Sequence, residues 1–238
     1  MLTMGNVRKL TRAQFLLVCT ATFLILSLLT AAFYVSFAGP QKTVDKHRVA
    51  CVEDSITLGS NYTIDLYFML GSSYNVSNFG VSGATVLLNT DNPYLKTGEF
   101  QVMKGFLPNI IIILLGTNDA NTKISFSSNK FEADYTTLIN EFQELTSKPK
   151  IWFVKPPPIY DNVLNLSNAH LKQNVIPSID RVADDLGLPT IDVYTPLLNH
   201  SDCFFDGVHP GNEGARIFAN EVYRAIVSSK AYPLNSQI

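Results

Sequence analysis

From Ala13 to Gln41 the chain carries no charged residue, and Phe15 to Phe37 form a predominantly apolar run of 23. About 20 such residues cross the hydrocarbon core of a bilayer. A helix buried in a soluble core would show a polar face, and this run has none. Arg8, Lys9 and Arg12 precede it and no acid does. The positive-inside rule then puts residues 1–12 in the cytoplasm, makes 13–38 a transmembrane signal anchor and leaves the rest extracytoplasmic. A cleavable secretory segment has an apolar stretch of about 7–15 residues, so the length favours retention. The competing feature is Ser36-Phe37-Ala38, a small-x-small pattern. Cleavage after Ala38 would release the protein.

Beyond a polar stalk over 39–47, residues 48–230 fit one domain with a sizeable core, followed by a tail over 231–238. With 46% hydrophobic and 16% charged residues, long-range disorder is excluded. Fifteen of the 18 basic residues lie beyond the apolar run, against 20 acids, a net charge of −5. A mildly acidic body with no basic cluster is a poor partner for nucleic acid. Cys51 and Cys203 do not make a disulfide framework. The four sequons, at Asn61, Asn75, Asn165 and Asn199, barely exceed the roughly three expected by chance.

The body alternates strand and helix patterns. Strands are expected at 48–52, 74–79, 110–115, 151–154 and 190–193. Helices are expected at 63–70, 100–106, 131–145, 169–186 and 215–227, with Pro177 kinking or dividing the fourth. Ile110–Leu115 is a run of apolar branched residues, the mark of a strand buried on both faces. Five such strands imply a parallel sheet with helices on both sides, and a ligand site beyond the strands' carboxyl ends.

Four polar loops stand at those places: Asp54-Ser55-Ile56-Thr57, Asn78-Phe79-Gly80-Val81-Ser82-Gly83, Gly116-Thr117-Asn118-Asp119 and Asp206-Gly207-Val208-His209-Pro210. Each alone has an ordinary reading as a cap, turn or helix start. Together they hold the parts for acyl transfer. Ser55 as nucleophile needs a base, His209 serves, and Asp206 three residues earlier can fix the imidazole tautomer. Gly80 and Ser55 backbone N–H groups and the Asn118 amide supply oxyanion donors. A histidine base must be neutral to act, so activity is expected to rise with pH through the ordinary imidazole range.

In this order the motifs resemble the SGNH hydrolases, or GDSL esterases, over about 48–229. Asn92-Pro93-Tyr94, Pro156-Pro157-Pro158 before Tyr160, and Ile191-Asp192-Val193-Tyr194 add to the likeness, which is greatest to the carbohydrate and sialate O-acetylesterase branch. The resemblance implies a flavodoxin-like three-layer α/β/α sandwich with a five-stranded parallel sheet. It implies Ser55, His209 and Asp206 as the catalytic residues, an oxyanion hole of Ser55, Gly80 and Asn118, and neither metal nor organic cofactor. The sequence shows no metal-ligand spacing against that.

One position departs from the family. Glu53 stands where a Gly precedes the Asp-Ser pair. Glu53, Asp54 and Asp119 are therefore candidates for modulating the site. Glu53 is expected to disturb the nucleophile turn and lower the rate; its alternatives are a second functional carboxylate or a side chain in solvent. The leading functional expectation is an esterase removing a small acyl group, acetyl above all, from a small-molecule or glycan ester. A lipid esterase such as a lysophospholipase or thioesterase, and a weakly active or inactive glycan-binding domain, are the other two. The oligomeric state is not read from the sequence.

Overall fold

In a computed structural model, residues 11–37 and 46–229 are described. The expected cleavage site, most of the stalk and the C-terminal tail lie outside these residues. The chain divides into two units, 1–44 and 45–238. In the first, helix α1 spans Arg12–Phe37, 26 residues, with no acid in its first turn and no base in its last. Over Arg12–Tyr34 its mean hydropathy is 2.3 and none of it is buried, so it is long and apolar enough to cross a membrane.

The second unit is built on five parallel strands. They are β1 (His47–Glu53), β2 (Tyr74–Gly80), β3 (Ile110–Leu114), β4 (Lys150–Lys155) and β5 (Thr190–Asp192), in the order β2-β1-β3-β4-β5. This is the flavodoxin-like order, with the chain reversing its direction of growth between β1 and β3. His47, expected in the stalk, is already the first residue of β1, where its N–H is held by the Ser73 carbonyl.

Helices α2 (Ser55–Gly59), α3 (Tyr62–Leu70), α4 (Gly98–Phe106) and α5 (Ser128–Gln143) follow in turn. Next, α6 (Asn168–His170) runs through a π-turn at Leu171–Val175 into α7 (Ile176–Leu186), and α8 (Tyr194–Leu197) and α9 (Asn212–Ser228) complete the unit. The π-turn explains the fate of Pro177. A proline lacks the N–H that an α-helix requires, and the wider turn just before it absorbs the break while the axis continues. Helices α2 and α8 were not expected, being too short to show a period.

Alternation along the strands sorts the core. Ala50, Val52, Ile111, Ile113 and Phe153 face one way, under α4, α5 and α7. Val49, Cys51, Ile112, Leu114, Trp152 and Val154 face the other, under α3 and α9, where Tyr62 stacks on Phe218 with centroids 4.1 Å apart. The result is the expected three-layer α/β/α sandwich. Cys51 and Cys203 are both free and buried, in different clusters.

Candidate active site

β1 delivers the first residue of the site. It ends at Glu53, and the chain turns directly into α2, whose first residue is Ser55. Asp54 caps that helix, its Oδ1 accepting from the Ile56 N–H at 2.9 Å. The Ser55 hydroxyl thus sits at a helix N-terminus, where backbone dipoles favour negative charge.

From the far end of the chain, the loop before α9 brings His209 to Ser55. Asp206 holds this loop with both oxygens. Its Oδ1 accepts the N–H groups of Val208 (3.0 Å) and His209 (2.8 Å), while Oδ2 lies 2.6 Å from His209 Nδ1. With the ring proton on Nδ1, Nε2 accepts from Ser55 Oγ at 2.8 Å. Burial works to raise the Asp206 carboxyl, but the His209 and Val208 N–H groups and the His209 ring outweigh it and hold the pKa below the ordinary aspartate value. Asp206 is therefore an anion facing the imidazole. Gly207 lies between them at φ +81°, and a Cβ there would meet the Asp161 carbonyl oxygen at 2.1 Å. The exposed Phe205 ring stacks on His209, centroids 5.7 Å apart.

The two expected oxyanion side groups fare differently. Asn118, in the turn after β3, lines the same cleft as Ser55 and His209. Its amide donates to Asp54 Oδ2 and to the Ala84 carbonyl, both at 3.0 Å. Gly80 does not line the cleft. Its N–H donates to Asn78 Oδ1 at 2.8 Å, and a Cβ on it would lie 2.7 Å from the Asp54 carbonyl oxygen. Gly80 is a glycine because β2 ends hard against the Asp54-Ser55 turn, a close approach that leaves no room for a side chain. The glycine that does line the cleft is Gly83, three residues on. The sequence shows two glycines in one loop and nothing in their spacing says which faces the nucleophile.

The three flanking acids are all fully buried. Burial pushes Asp54 up to about 7 and Asp119 to about 6. Asp119 accepts the N–H groups of Val86 and Leu87, each at 2.9 Å, and Asp134 accepts that of Leu88 at 2.8 Å. Two carboxylates thus hold three successive amides of the loop that walls the cleft. Glu53 is 0% exposed, which excludes the solvent-facing alternative. Alternation puts it on the Val49–Cys51 face, toward Tyr62. Burial raises the Glu53 pKa well above the ordinary value, against the Tyr62 hydroxyl beside it, which works to lower it, and with the Asp54 charge adding to the rise. The residue is a buried acid beneath the Asp54-Ser55 turn, with its neutral form favoured by burial.

Above Ser55 the cleft encloses about 740 Å³. Its lining includes Asn89, Thr90, Asp91 and Asn92 from one loop and Asn121, Lys123 and Ser125 from another, together with Ile124, Leu164 and Leu166.

A family model described as the GDSL-like lipase/acylhydrolase family matches residues 54–217, more than half of the chain. The chain belongs to this family. The match takes in Ser55, Asn118, Asp206 and His209 and starts one residue after Glu53. Among relatives of this GDSL-like chain, an acetylxylan esterase of Xylanibacter ruminicola is 30% identical over 213 residues, covering 79% of this chain and 44% of that protein. A GDSL esterase/lipase of Arabidopsis thaliana is 21% identical over 175 residues, covering 65% and 66%. The chain therefore spans less than half of the first relative and about two thirds of the second. The fold matches that of Est24, a carbohydrate acetylesterase from Sinorhizobium meliloti, with a TM-score of 0.63, 17% identity, and coverage of 77% of this chain and all of that one.

Proposed function

We propose that this chain is a serine esterase that removes a small acyl group, acetyl above all, from a carbohydrate hydroxyl through an acyl-enzyme. The observation that carries the reading is the unbroken chain of hydrogen bonds from Ser55 through His209 to Asp206 at the floor of a polar cleft. Ser55 Oγ attacks the ester carbon as its proton passes to His209 Nε2. That proton then goes to the departing sugar oxygen as the tetrahedral intermediate collapses. Water repeats the sequence on the acyl-enzyme and releases the acid. Asp206 holds the tautomer and stabilises the imidazolium. The Ser55 N–H and Gly83, in place of Gly80, are the proposed oxyanion donors, and the Asn118 amide joins them by exchanging its bond to the Ala84 carbonyl for one to the oxyanion. The reaction as written uses no cofactor.

Hydroxyl and amide side chains lining the cleft suit a polyhydroxylated alcohol better than an acyl chain, and the likeness to an acetylxylan esterase and to the carbohydrate acetylesterase Est24 points the same way. An intact triad speaks against a domain that only binds glycans. We further propose that α1 is an uncleaved signal anchor holding the domain outside the cytoplasm. Acetate release from a panel of O-acetylated sugars, against long-chain esters and a Ser55→Ala control, tests the reading. Preference for the long-chain esters would turn it toward lipids, and no turnover of any ester would end it.

A further inference from the structure

Outside the cleft, a second cluster has no part in ester hydrolysis. In the turn between α8 and the Asp206 loop, His200, Asp202 and Cys203 each offer one ligating atom, and these atoms lie within 4.8 Å of one another. Three atoms so placed can all sit within about 2.8 Å of one centre. Zinc bonds run about 2.0–2.3 Å to nitrogen, oxygen and sulfur, so a shift of a few tenths of an ångström at each ligand closes the site. His200 and Asp202 are exposed and free to make that shift.

The backbone beneath them is set. A 3-10 turn spans Ser201–Cys203, closed by the Cys203 N–H on the His200 carbonyl at 3.0 Å. The His200 N–H donates to the Tyr160 hydroxyl at 3.0 Å, and that hydroxyl donates to the Leu197 carbonyl at 2.7 Å. Cys203 itself is packed among Leu197 and Phe204.

We propose that His200, Asp202 and Cys203 form a binding site for a zinc-class divalent cation, with water completing a tetrahedral shell. The donor set is thiolate, imidazole and carboxylate, which suits Zn²⁺ or Co²⁺ and not Mg²⁺ or Ca²⁺, whose ligands are all oxygen. The His-x-Asp-Cys spacing is too short to match the paired Cys and His motifs of zinc domains, so the sequence alone gave no signal. The Asp202 and Glu213 carboxylates place negative charge beside Cys203, which attracts a cation.

The site adjoins the catalytic loop. The Cys203 carbonyl accepts the Gly211 N–H at 2.7 Å, and the Phe205 N–H donates to the His209 carbonyl at 3.2 Å. A bound ion would fasten the base of the hairpin that carries Asp206 and His209. This proposal does not rest on the esterase reading.

Co²⁺ titration of the full chain in detergent is the test, followed by absorbance. Wild type should show a thiolate-to-Co²⁺ charge-transfer band saturating at one equivalent and displaced by Zn²⁺. The band should vanish in Cys203→Ser, and affinity should fall at least about tenfold in His200→Ala and Asp202→Asn, both exposed positions whose change spares the fold. Added Zn²⁺ should raise the Tm of wild type and not of Cys203→Ser. No band at millimolar Co²⁺, an unchanged band in Cys203→Ser, or equal Tm shifts in both proteins would each overturn the proposal.

Discussion

Asn118 Nδ2 donates to Asp54 Oδ2 at 3.0 Å, joining the residue before Ser55 to a loop 64 positions later in the chain. The turn after β1 and the turn after β3 are adjacent because their strands are paired in register from Val49↔Ile110 to Glu53↔Leu114. Asp54 therefore does two things at once: Oδ1 caps the helix that starts at Ser55, and Oδ2 aims the amide proposed to meet the oxyanion.

Asp54→Asn should keep the cap, since Asn also accepts from the Ile56 N–H, but it sets one amide against another at Asn118. The expected outcome is a fall in kcat of about 10–100-fold with KM little changed, because an oxyanion donor acts chiefly in the transition state. Steady-state kinetics on an acetyl ester decide it. A raised KM at constant kcat would assign Asp54 to substrate binding instead.

Glu53 governs a pH dependence of stability. Its folded pKa is raised, so the stability it allows is fully present below the unfolded value of about 4.5 and is lost as pH rises through the folded value. Asp54 and Asp119 have the same sign up to about 7 and about 6. Glu53→Met, of similar volume and with no group to ionise, should be more stable at pH 7 by roughly 1–3 kcal/mol and lose stability less steeply between pH 5 and 8. Urea unfolding at several pH values measures both. A Glu53→Met chain less stable than wild type at pH 7 would mean that the carboxyl has a stabilising role.

The same side chain lies under the nucleophile turn, and Glu53→Gly is expected to raise kcat by relaxing it. A fall in activity in both Glu53→Gly and Glu53→Gln would show instead that the carboxyl contributes to the reaction.

Gly207→Ala should cripple the loop between Asp206 and His209. Its backbone is at φ +81°, and the added methyl would stand 2.1 Å from the Asp161 carbonyl oxygen. A displacement of about 1 Å at the base costs on the order of a hundredfold in rate. Far-UV circular dichroism should be unchanged while kcat falls at least that far. Wild-type kcat would show that the loop yields without moving His209.

Much of this was legible in the chain. Ile110–Leu115 and the strands around it could only be a doubly covered sheet, and Ser55, His209 and Asp206 could be proposed together because chemistry restricts which residues can serve. The misses have physical causes. Gly80 and Gly83 differ in whether they touch the Asp54 carbonyl or the cleft, a matter of tertiary approach with no trace in local sequence. Helix α2 leaves no mark in the sequence because five residues make no period. Glu53 does leave one: Val49 and Cys51 share its face of β1, and continuing that alternation puts the carboxyl inside.

The central claim is that Ser55 is the nucleophile of an esterase driven by His209. Its most direct test is kcat on an acetyl ester for wild type and for Ser55→Ala, with folding of both checked by Tm. The expected result is turnover by wild type and a loss of at least about a thousandfold in Ser55→Ala at an unchanged Tm. Wild-type turnover by folded Ser55→Ala would contradict the account.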